Sequence, residues 1–239
     1  MCYNYSLTVF PTKDDYNAVL KKGDEFQKKF IVNSFDIKKM PVITNKDPEY
    51  FQFFYWGLIP FWIKNFVDSE KIRVKTINAR SETIFDKPSY KKSIRSKRCL
   101  IPADGFYEWR NVKGNNYPYY IRLKNHNIFS FAGIWDCWKN PLDKKIVYSY
   151  SIITCKSNKL LSKIHNKKKR MPVILSKVNE KKWIKKDLKD EEIKKNLTPY
   201  PDEELEAYTI SRLITSRTKE KNIAQIIKPY FYPELIDID

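Results

Sequence analysis

The chain has 239 residues with a formal net charge of +18, and 15% of its residues are aromatic. This length can bury a sizeable core without disulfide bonds, and the aromatic content argues against a disordered chain. The positive charge favours a polyanionic partner, either a nucleic acid or an anionic membrane surface. No run of about 18 apolar residues occurs, so we predict no transmembrane helix.

The sparse cysteines and histidines argue against a metal centre. None of the four cysteines belongs to a CxxC pair, and neither histidine has zinc-ligand spacing to them. We therefore expect no metal and no cofactor. The N-terminus has neither the basic segment nor the long apolar segment of a signal peptide. We expect a protein of the reducing cytosol that has no membrane partner.

Apolar patterning predicts the elements in chain order. The first half predicts a strand over 2–10, a helix over 14–30, a short extended piece around 41–43, a strand over 50–59, a basic loop or short helix over 63–75 and a helix from Pro88 to Ile94. The second half begins with a strand over 99–101 that Pro102 and the Asp104-Gly105 turn interrupt before an aromatic strand resumes at Phe106.

Further elements follow this central stretch. They are strands over 118–123, 128–138 and 146–154, a helix over 157–165 capped by Ser157, a strand over 171–175, a helical region over 178–197, a strand over 207–210 and a tail over 222–235. Many strands follow one another without helices between them, so we predict a single α+β domain over 1–239 with a mostly antiparallel sheet. Gly57, Gly105 and Gly133 lie in aromatic strand segments and predict turns or bulges that need room for the backbone.

Glu108 is the first candidate catalytic residue, because it stands between Tyr107 and Trp109 in an aromatic segment. Burial among aromatic rings would raise the pKa of its carboxyl into the range where it can both give and take a proton. The alternative is a surface glutamate on an alternating strand.

Cys2 is the second candidate, because removal of Met1 would leave an α-amine beside a thiol. The amine has a pKa of about 7.7–8.0 and the thiol is a second nucleophile, so the pair can capture an aldehyde as an imine and then as a thiazolidine. The alternative is a chance cysteine in a packed N-terminal strand. His165 is either a proton shuttle or a partner of the helix C-terminus. Asn78 is a polar residue that must find hydrogen-bond partners if it is buried.

Aromatic and arginine residues suggest a nucleic-acid interface. Trp62 and Trp109 are core residues or platforms on which bases stack. Arg80, Arg98 and Arg170 are candidate phosphate ligands, because a guanidinium group can bind phosphate through two hydrogen bonds.

Seven sequence blocks together indicate a family. They are Met1-Cys2, Trp56–Trp62 (WGLIPFW), Asn78–Thr83 (NARSET), Arg98–Trp109 (RCLIPADGFYEW), Phe131–Trp138 (FAGIWDCW), Ser151–Thr154 (SIIT), and Ile164-His165 followed by Arg170–Leu175 (RMPVIL). In this order they resemble the SRAP family, the SOS-response-associated peptidases that act as abasic-site shields in the DNA damage response.

The resemblance implies a single α+β domain on a partly barrel-like antiparallel sheet, with flanking helices and a positively charged cleft for single-stranded DNA. By motif match, Cys2 would form a thiazolidine with the ring-opened deoxyribose of an abasic site. Asn78, Glu108 and His165 match the family's catalytic residues. Residues that match its DNA contacts are Trp62, Arg80 and Arg170. We would then expect the cytosolic protein to associate with the nucleoid through DNA.

The chain departs from the family pattern at two points. It begins Cys2-Tyr3-Asn4 where members usually have Cys-Gly-Arg. Residues 166–169 separate His165 from Arg170, whereas most members have one residue there.

Three functions are open at this point. The first is a protein that crosslinks covalently to abasic sites in single-stranded DNA. The second is an N-terminal-nucleophile peptidase that uses the same Cys2, Glu108 and His165, at least on the Met1–Cys2 bond in cis. The third is a basic nucleic-acid-binding module without catalysis.

Overall fold

The computed structural model describes residues 2–13 and 15–238, so Met1, Asp14 and Asp239 lie outside the described part of the chain. The strands are β1 (Asn4–Leu7), β2 (Lys29–Asn33), β3 (Lys39–Thr44), β4 (Gln52–Trp56), β5 (Asn78–Arg80), β6 (Arg98–Ala103), β7 (Gly105–Val112), β8 (Asn115–Leu123), β9 (Phe129–Lys139), β10 (Ile146–Lys156), β11 (Arg170–Pro172), β12 (Ile174–Leu175) and β13 (Leu205–Thr209). The α-helices are α1 (Phe66–Arg73), α2 (Ser93–Ser96), α3 (Lys159–Ile164), α4 (Lys177–Trp183) and α5 (Asp190–Lys194). Short 3-10 helices occur at Asp202–Glu204, Arg212–Thr215, Ala224–Ile227 and Pro233–Ile238.

A five-stranded antiparallel sheet carries the N-terminus. Its strand order is β13-β8-β7-β1-β2. Strand β1 lies between β2 and β7, with Tyr5 opposite Phe106. The sheet therefore places the segment after Cys2 directly beside the strand that carries Glu108.

The second sheet is a closed ring of strands. Its path runs β11-β10-β4-β3-β6-β9-β12, and β9 also pairs with β10 from Ile146 opposite Lys139 to Ile152 opposite Gly133. Strands β4 and β5 pair with β10 in parallel, and the other pairings are antiparallel. The predicted α+β class with a mostly antiparallel, partly barrel-like sheet and flanking helices is confirmed.

Aromatic side chains join the two sheets in one core. The ring of Tyr5 packs edge-on against Trp56 at 5.2 Å between centroids, and its hydroxyl lies 3.0 Å from that of Tyr150. Phe106 of the first sheet packs against Phe131 of the second at 5.9 Å. Buried aromatic pairs of this kind add about 0.5–1.5 kcal/mol each beyond their buried area. They fix β1, and with it the N-terminal segment, against the barrel.

Two glycines make close backbone packing possible. Gly57 has a φ of +103°, and a Cβ atom there would lie 2.5 Å from the carbonyl oxygen of Arg73. At Gly105, a Cβ atom would lie 2.2 Å from the ring of Tyr120. The prediction of tight backbone positions in these segments is confirmed.

The predicted helix over 14–30 is wrong, because the described residues of this segment form turns and bridges before β2 begins. Its apolar residues do not share one face. Tyr16 donates to or accepts from Ser130 at 2.7 Å, and Phe26 packs on Phe10 at 4.9 Å. Different parts of the fold therefore bind these side chains individually.

Smaller corrections concern element boundaries. Pro102 does not interrupt the strand but lies within β6, where β3 has already ended its pairing at Leu100, so a residue without an N–H group is tolerated. Helix α3 is capped by Asn158, whose side chain accepts from the Leu161 amide at 2.8 Å, and not by Ser157. The helix predicted from Pro88 begins later, as α2.

Candidate active site and nucleic-acid interface

The N-terminal strand is anchored by Asp104, the residue between β6 and β7. Its carboxylate accepts hydrogen bonds at 2.5 Å from the Thr8 amide, the Thr8 hydroxyl and the Ser6 hydroxyl. The Ser6 hydroxyl also lies 2.8 Å from that of Tyr120. Hydrogen bonds to a charged acceptor are among the stronger ones in proteins, so the position of β1 is firmly set.

Cys2 lies fully buried, two residues before this strand begins. Its thiol donates to the carbonyl oxygen of Asn4 at 3.5 Å. Burial raises the pKa of the thiol well above its usual range, and the nearby charge of Glu108 raises it further. The thiol is therefore protonated at neutral pH, and its use as a nucleophile requires a proton acceptor close by.

Asn78 holds the backbone of Cys2. It lies on β5, where it pairs with Ile152 of β10, and its side-chain amide donates to the Cys2 carbonyl oxygen at 2.9 Å. Its own Oδ1 atom is buried and has no hydrogen-bond donor among the described residues. The amide thus orients Cys2 and leaves one acceptor for a further group.

Glu108 projects from β7 and is only 3% exposed. Burial raises the pKa of its carboxyl to about 8, against the opposing influence of the positive charge on Lys168. The structure thus shows Glu108 buried and not on the surface, as its aromatic neighbours predict. At neutral pH the carboxyl can both donate and accept a proton.

His165 follows α3 as its C-terminal cap and comes within reach of Glu108. Its Nδ1 atom lies 2.9 Å from the carbonyl oxygen of Arg170 and 3.7 Å from Oε1 of Glu108. The carbonyl accepts only, so the hydrogen-bond network assigns the proton to Nδ1 and leaves Nε2 as the acceptor. Burial lowers the pKa of the ring to about 4, so the imidazole is neutral at pH 7.

A cleft of about 360 Å³ opens over Glu108 and His165. It is lined by Tyr3, Glu108, Trp109, Asn116, His165, Lys167 and Lys168. A larger cavity of about 770 Å³ lies elsewhere, between the 15–17 segment and α4, and contains none of the predicted catalytic residues. The chemistry therefore points to the smaller cleft, which combines a buried acid, a neutral imidazole, aromatic walls and two ammonium groups.

The structure separates the predicted DNA-contacting residues into two groups. Trp109 lines the cleft, Arg80 is exposed at the end of β5, and Trp62 is 44% exposed in the loop after β4. Arg170 is buried, and its guanidinium group is bound to Glu82 and to the carbonyl oxygen of Thr154. It supports the wall of the site in this structure.

Arg98 corrects the sequence prediction. It is fully buried, and its guanidinium group donates to five backbone carbonyl oxygens, those of Ile94, Arg95, Trp183, Lys185 and Lys186. A phosphate cannot reach this group without opening the core. Arg98 therefore ties α2 and the end of α4 to β6 and is not a phosphate ligand.

Sequence reasoning missed several residues of the site. Tyr3, Asn116, Lys167 and Lys168 line the cleft, and Asp104 anchors its N-terminal strand. The lysine run beside His165 was the one available signal for the cationic wall. Nothing in the local sequence indicates that Asn116, on the strand paired with β7, faces the same opening.

This fold and site define a family. The family model described as SOS response associated peptidase (SRAP) matches residues 1–217. The chain therefore belongs to the SRAP family, and the resemblance predicted from the seven blocks is confirmed.

Individual relatives extend this result. Abasic site processing protein YoqW of Bacillus subtilis (strain 168) is 45% identical over 163 residues, which cover 67% of this chain and 69% of that protein. Abasic site processing protein HMCES of Xenopus tropicalis is 38% identical over 138 residues, which cover 50% of this chain and 40% of that protein. The crystal structure of a Bacteroides thetaiotaomicron protein matches with a TM-score of 0.89 and 36% identity, covering 96% of this chain and 100% of that one.

One further finding concerns membranes. Within residues 2–13 and 15–238, no helix is both long enough and apolar enough to cross a bilayer.

Proposed function

We propose that this protein processes abasic sites by covalent capture. After removal of Met1, the α-amine and thiol of Cys2 would react with the aldehyde of a ring-opened deoxyribose in single-stranded DNA. The observation that carries the proposal is that Asn78 binds the backbone of Cys2 and that Cys2 interacts electrostatically with Glu108, which lines a cationic cleft together with His165. The names of the relatives, abasic site processing proteins, support the same substrate class.

The first step opens the sugar. An abasic deoxyribose is mainly a closed hemiacetal, so its hydroxyl proton must move before the aldehyde forms. The neutral imidazole of His165, with Nε2 as the acceptor, suits this transfer. The buried Oδ1 of Asn78 can accept a hydrogen bond from the amine or from a sugar hydroxyl and so orient the two reactants.

The second step forms the adduct. The amine adds to the aldehyde carbon, and loss of water gives an imine. The sulfur then adds to the imine carbon, the thiol proton passes to the nitrogen, and a thiazolidine ring closes. One water leaves and no oxidant is required. Glu108, with a pKa of about 8, can accept the amine or thiol proton and donate to the departing hydroxyl.

Ring closure explains why such a protein would protect DNA. An imine at the sugar promotes β-elimination, which would cut the strand. Addition of sulfur consumes the imine before elimination. A flexible, unpaired strand fits a cleft with aromatic and cationic walls better than a stiff duplex does, so single-stranded DNA is the proposed partner.

The test is a denaturing gel with purified protein, after mass spectrometry has verified that Met1 is absent. Wild type, Cys2→Ala and the matched control Cys137→Ala are mixed with single-stranded DNA that carries one abasic site or none. Cys137 is the control because it is the one cysteine of the described residues that is not buried. We expect a heat-stable shifted band for wild type and Cys137→Ala, on abasic DNA only.

The opposite results separate the alternatives. No band for wild type overturns covalent capture. Binding of intact DNA that is unchanged in Cys2→Ala would then favour a non-catalytic module. Amide hydrolysis that disappears in Cys2→Ala would instead favour the peptidase, which uses the same three side chains.

A further inference from the structure

The segment between α3 and β11 carries two ammonium groups at the mouth of the cleft. Lys167 and Lys168 line the same opening as Glu108 and His165. Both lysines are exposed, and neither ammonium group makes a hydrogen bond or ion pair with another described residue. We propose that these two lysines form a phosphate subsite, which binds the phosphodiester next to the reacting nucleotide. The proposed function enters this inference at one point: it identifies the reacting nucleotide as an abasic site.

The backbone of this segment is held in place before any ligand arrives. Asn166 makes two hydrogen bonds to the backbone of Asn111 on β7: its Oδ1 accepts from the amide at 3.1 Å and its Nδ2 donates to the carbonyl at 2.7 Å. The amide of Lys169 donates to the His165 carbonyl at 2.7 Å, and Lys169 has a φ of +48°. Binding would therefore order only the lysine side chains, which limits its entropic cost.

Two neighbouring positions at which the family resemblance predicts a cation do not offer one to this cleft. Arg170, which ends the same segment, is bound to Glu82 and Thr154. The N-terminal segment supplies no positive side chain, since Cys2 is followed by Tyr3 and Asn4, and Asn4 is buried and accepts from Asn33 at 2.8 Å. Among the described residues that line the cleft, the positive side chains are thus those of the two lysines.

The surroundings favour a nucleotide phosphate over a free anion. Tyr3 and Trp109 line the same cleft as the ammonium groups, and Tyr3 is stacked on Phe35 at 5.7 Å between ring centroids. Aromatic faces next to positive charge are the combination that binds single strands, because bases stack while phosphates are neutralised. Lysine acts here as a point charge and does not require the fixed geometry of a guanidinium group.

The test uses single-stranded DNA without an abasic site, so it does not depend on the crosslink. The Lys167→Ala/Lys168→Ala double variant is compared with Lys159→Ala/Lys163→Ala, which removes the same charge from exposed positions on the adjacent helix α3. Fluorescence anisotropy gives the dissociation constant over a series of NaCl concentrations. Circular dichroism verifies that both variants are folded.

We expect the slope of log affinity against log salt to fall in magnitude by about 0.7 if the lysines share one phosphate and by about 1.4 if they bind two. The α3 control should keep the wild-type slope, and Lys167→Arg/Lys168→Arg should restore it. An unchanged slope in the Lys167/Lys168 variant, or an equal loss in the control, overturns the subsite.

A second measurement separates this result from the proposed function. On abasic DNA, the Lys167→Ala/Lys168→Ala variant should need a higher DNA concentration for half-maximal crosslinking than wild type and than the α3 control. Absence of crosslinking in wild type would refute the proposed function and leave the salt slopes to decide the subsite.

Discussion

Glu108 and His165 have pKa values displaced in opposite directions by the same cause. Burial raises the pKa of the carboxyl to about 8 and lowers that of the imidazole to about 4. At neutral pH the carboxyl is therefore largely protonated and the imidazole is neutral, so the pair carries little net charge in a buried place. Such a pair can donate or accept a proton without the free-energy cost of an isolated buried charge.

This arrangement predicts how stability depends on pH. Glu108 binds its proton more tightly in the folded chain, so its contribution to stability falls as pH rises from about 4.5 to about 8. His165 binds its proton less tightly, so its contribution rises with pH between about 4 and 6.5 and offsets the first effect there. Of these two groups only Glu108 changes protonation between pH 6.5 and 8, and we expect its contribution to the free energy of unfolding to fall by about 2 kcal/mol over that range.

Urea unfolding over that pH range tests the expectation. Glu108→Gln should remove the decline, and the exposed control Glu203→Gln should keep it. If the free energy of unfolding of Glu108→Gln fell with pH as steeply as that of wild type, another group would be responsible for the decline.

Asn78 gives a prediction about rate. Asn78→Ala removes the donor that holds the Cys2 carbonyl at 2.9 Å, so the nucleophile is no longer oriented. We expect the single-turnover crosslinking rate to fall by about tenfold to a hundredfold, with unchanged affinity for intact single-stranded DNA. Quantified denaturing gels measure the rate, with the exposed Asn127→Ala as control. Equal rates for the two variants would contradict the positioning role.

At the scale of elements, Arg98 connects α2, β6 and the end of α4 through five carbonyl acceptors. Arg98→Gln should lower the free energy of unfolding by about 3 kcal/mol, because buried acceptors lose their donor. It should leave the salt dependence of DNA binding unchanged. Arg80 is exposed, so Arg80→Gln should leave the free energy of unfolding unchanged. It should reduce the magnitude of the slope of log DNA affinity against log salt by about 0.7.

Chemical denaturation and anisotropy measure the two quantities. If Arg98→Gln reduced the salt slope as much as Arg80→Gln does, Arg98 would have to contact phosphate after all.

The same scale shows what the sequence can predict. Long strands such as β9 and β10 follow from continuous or alternating apolar residues, and both were predicted close to their true bounds. The 14–30 segment failed because Tyr16 and Phe26 have helical spacing but bind separate partners. Apolar spacing indicates that side chains are buried, but it does not indicate which part of the fold packs against each of them.

The burial of some site residues could also be predicted from the sequence, and that of others could not. The burial of Glu108 could be predicted because its aromatic neighbours lie next to it in the chain. The burial of Arg98 could not, since three of its acceptors come from residues 183–186, far along the sequence. The catalytic roles assigned by motif match stay predictions until the variants are made.

For the whole molecule, the common core predicts one unfolding transition. The larger of two buried clusters contains residues of the five-stranded sheet, of the barrel and of the C-terminal region, represented by Tyr5, Ile43 and Trp183. We expect tryptophan fluorescence and far-ultraviolet circular dichroism to give coincident urea transitions. A separate early transition in fluorescence would indicate that the region after residue 175 unfolds on its own, against the single-domain prediction.

The burial of Cys2 affects how fast its thiol is oxidised before the protein binds an abasic site. Oxidants attack thiolates far faster than thiols, and this sulfur is both protonated and hidden from solvent. We therefore expect the thiol on which the proposed chemistry depends to be oxidised slowly in the folded protein. It should remain available under oxidising conditions that also damage DNA, and then react once with a sugar that enters the cleft.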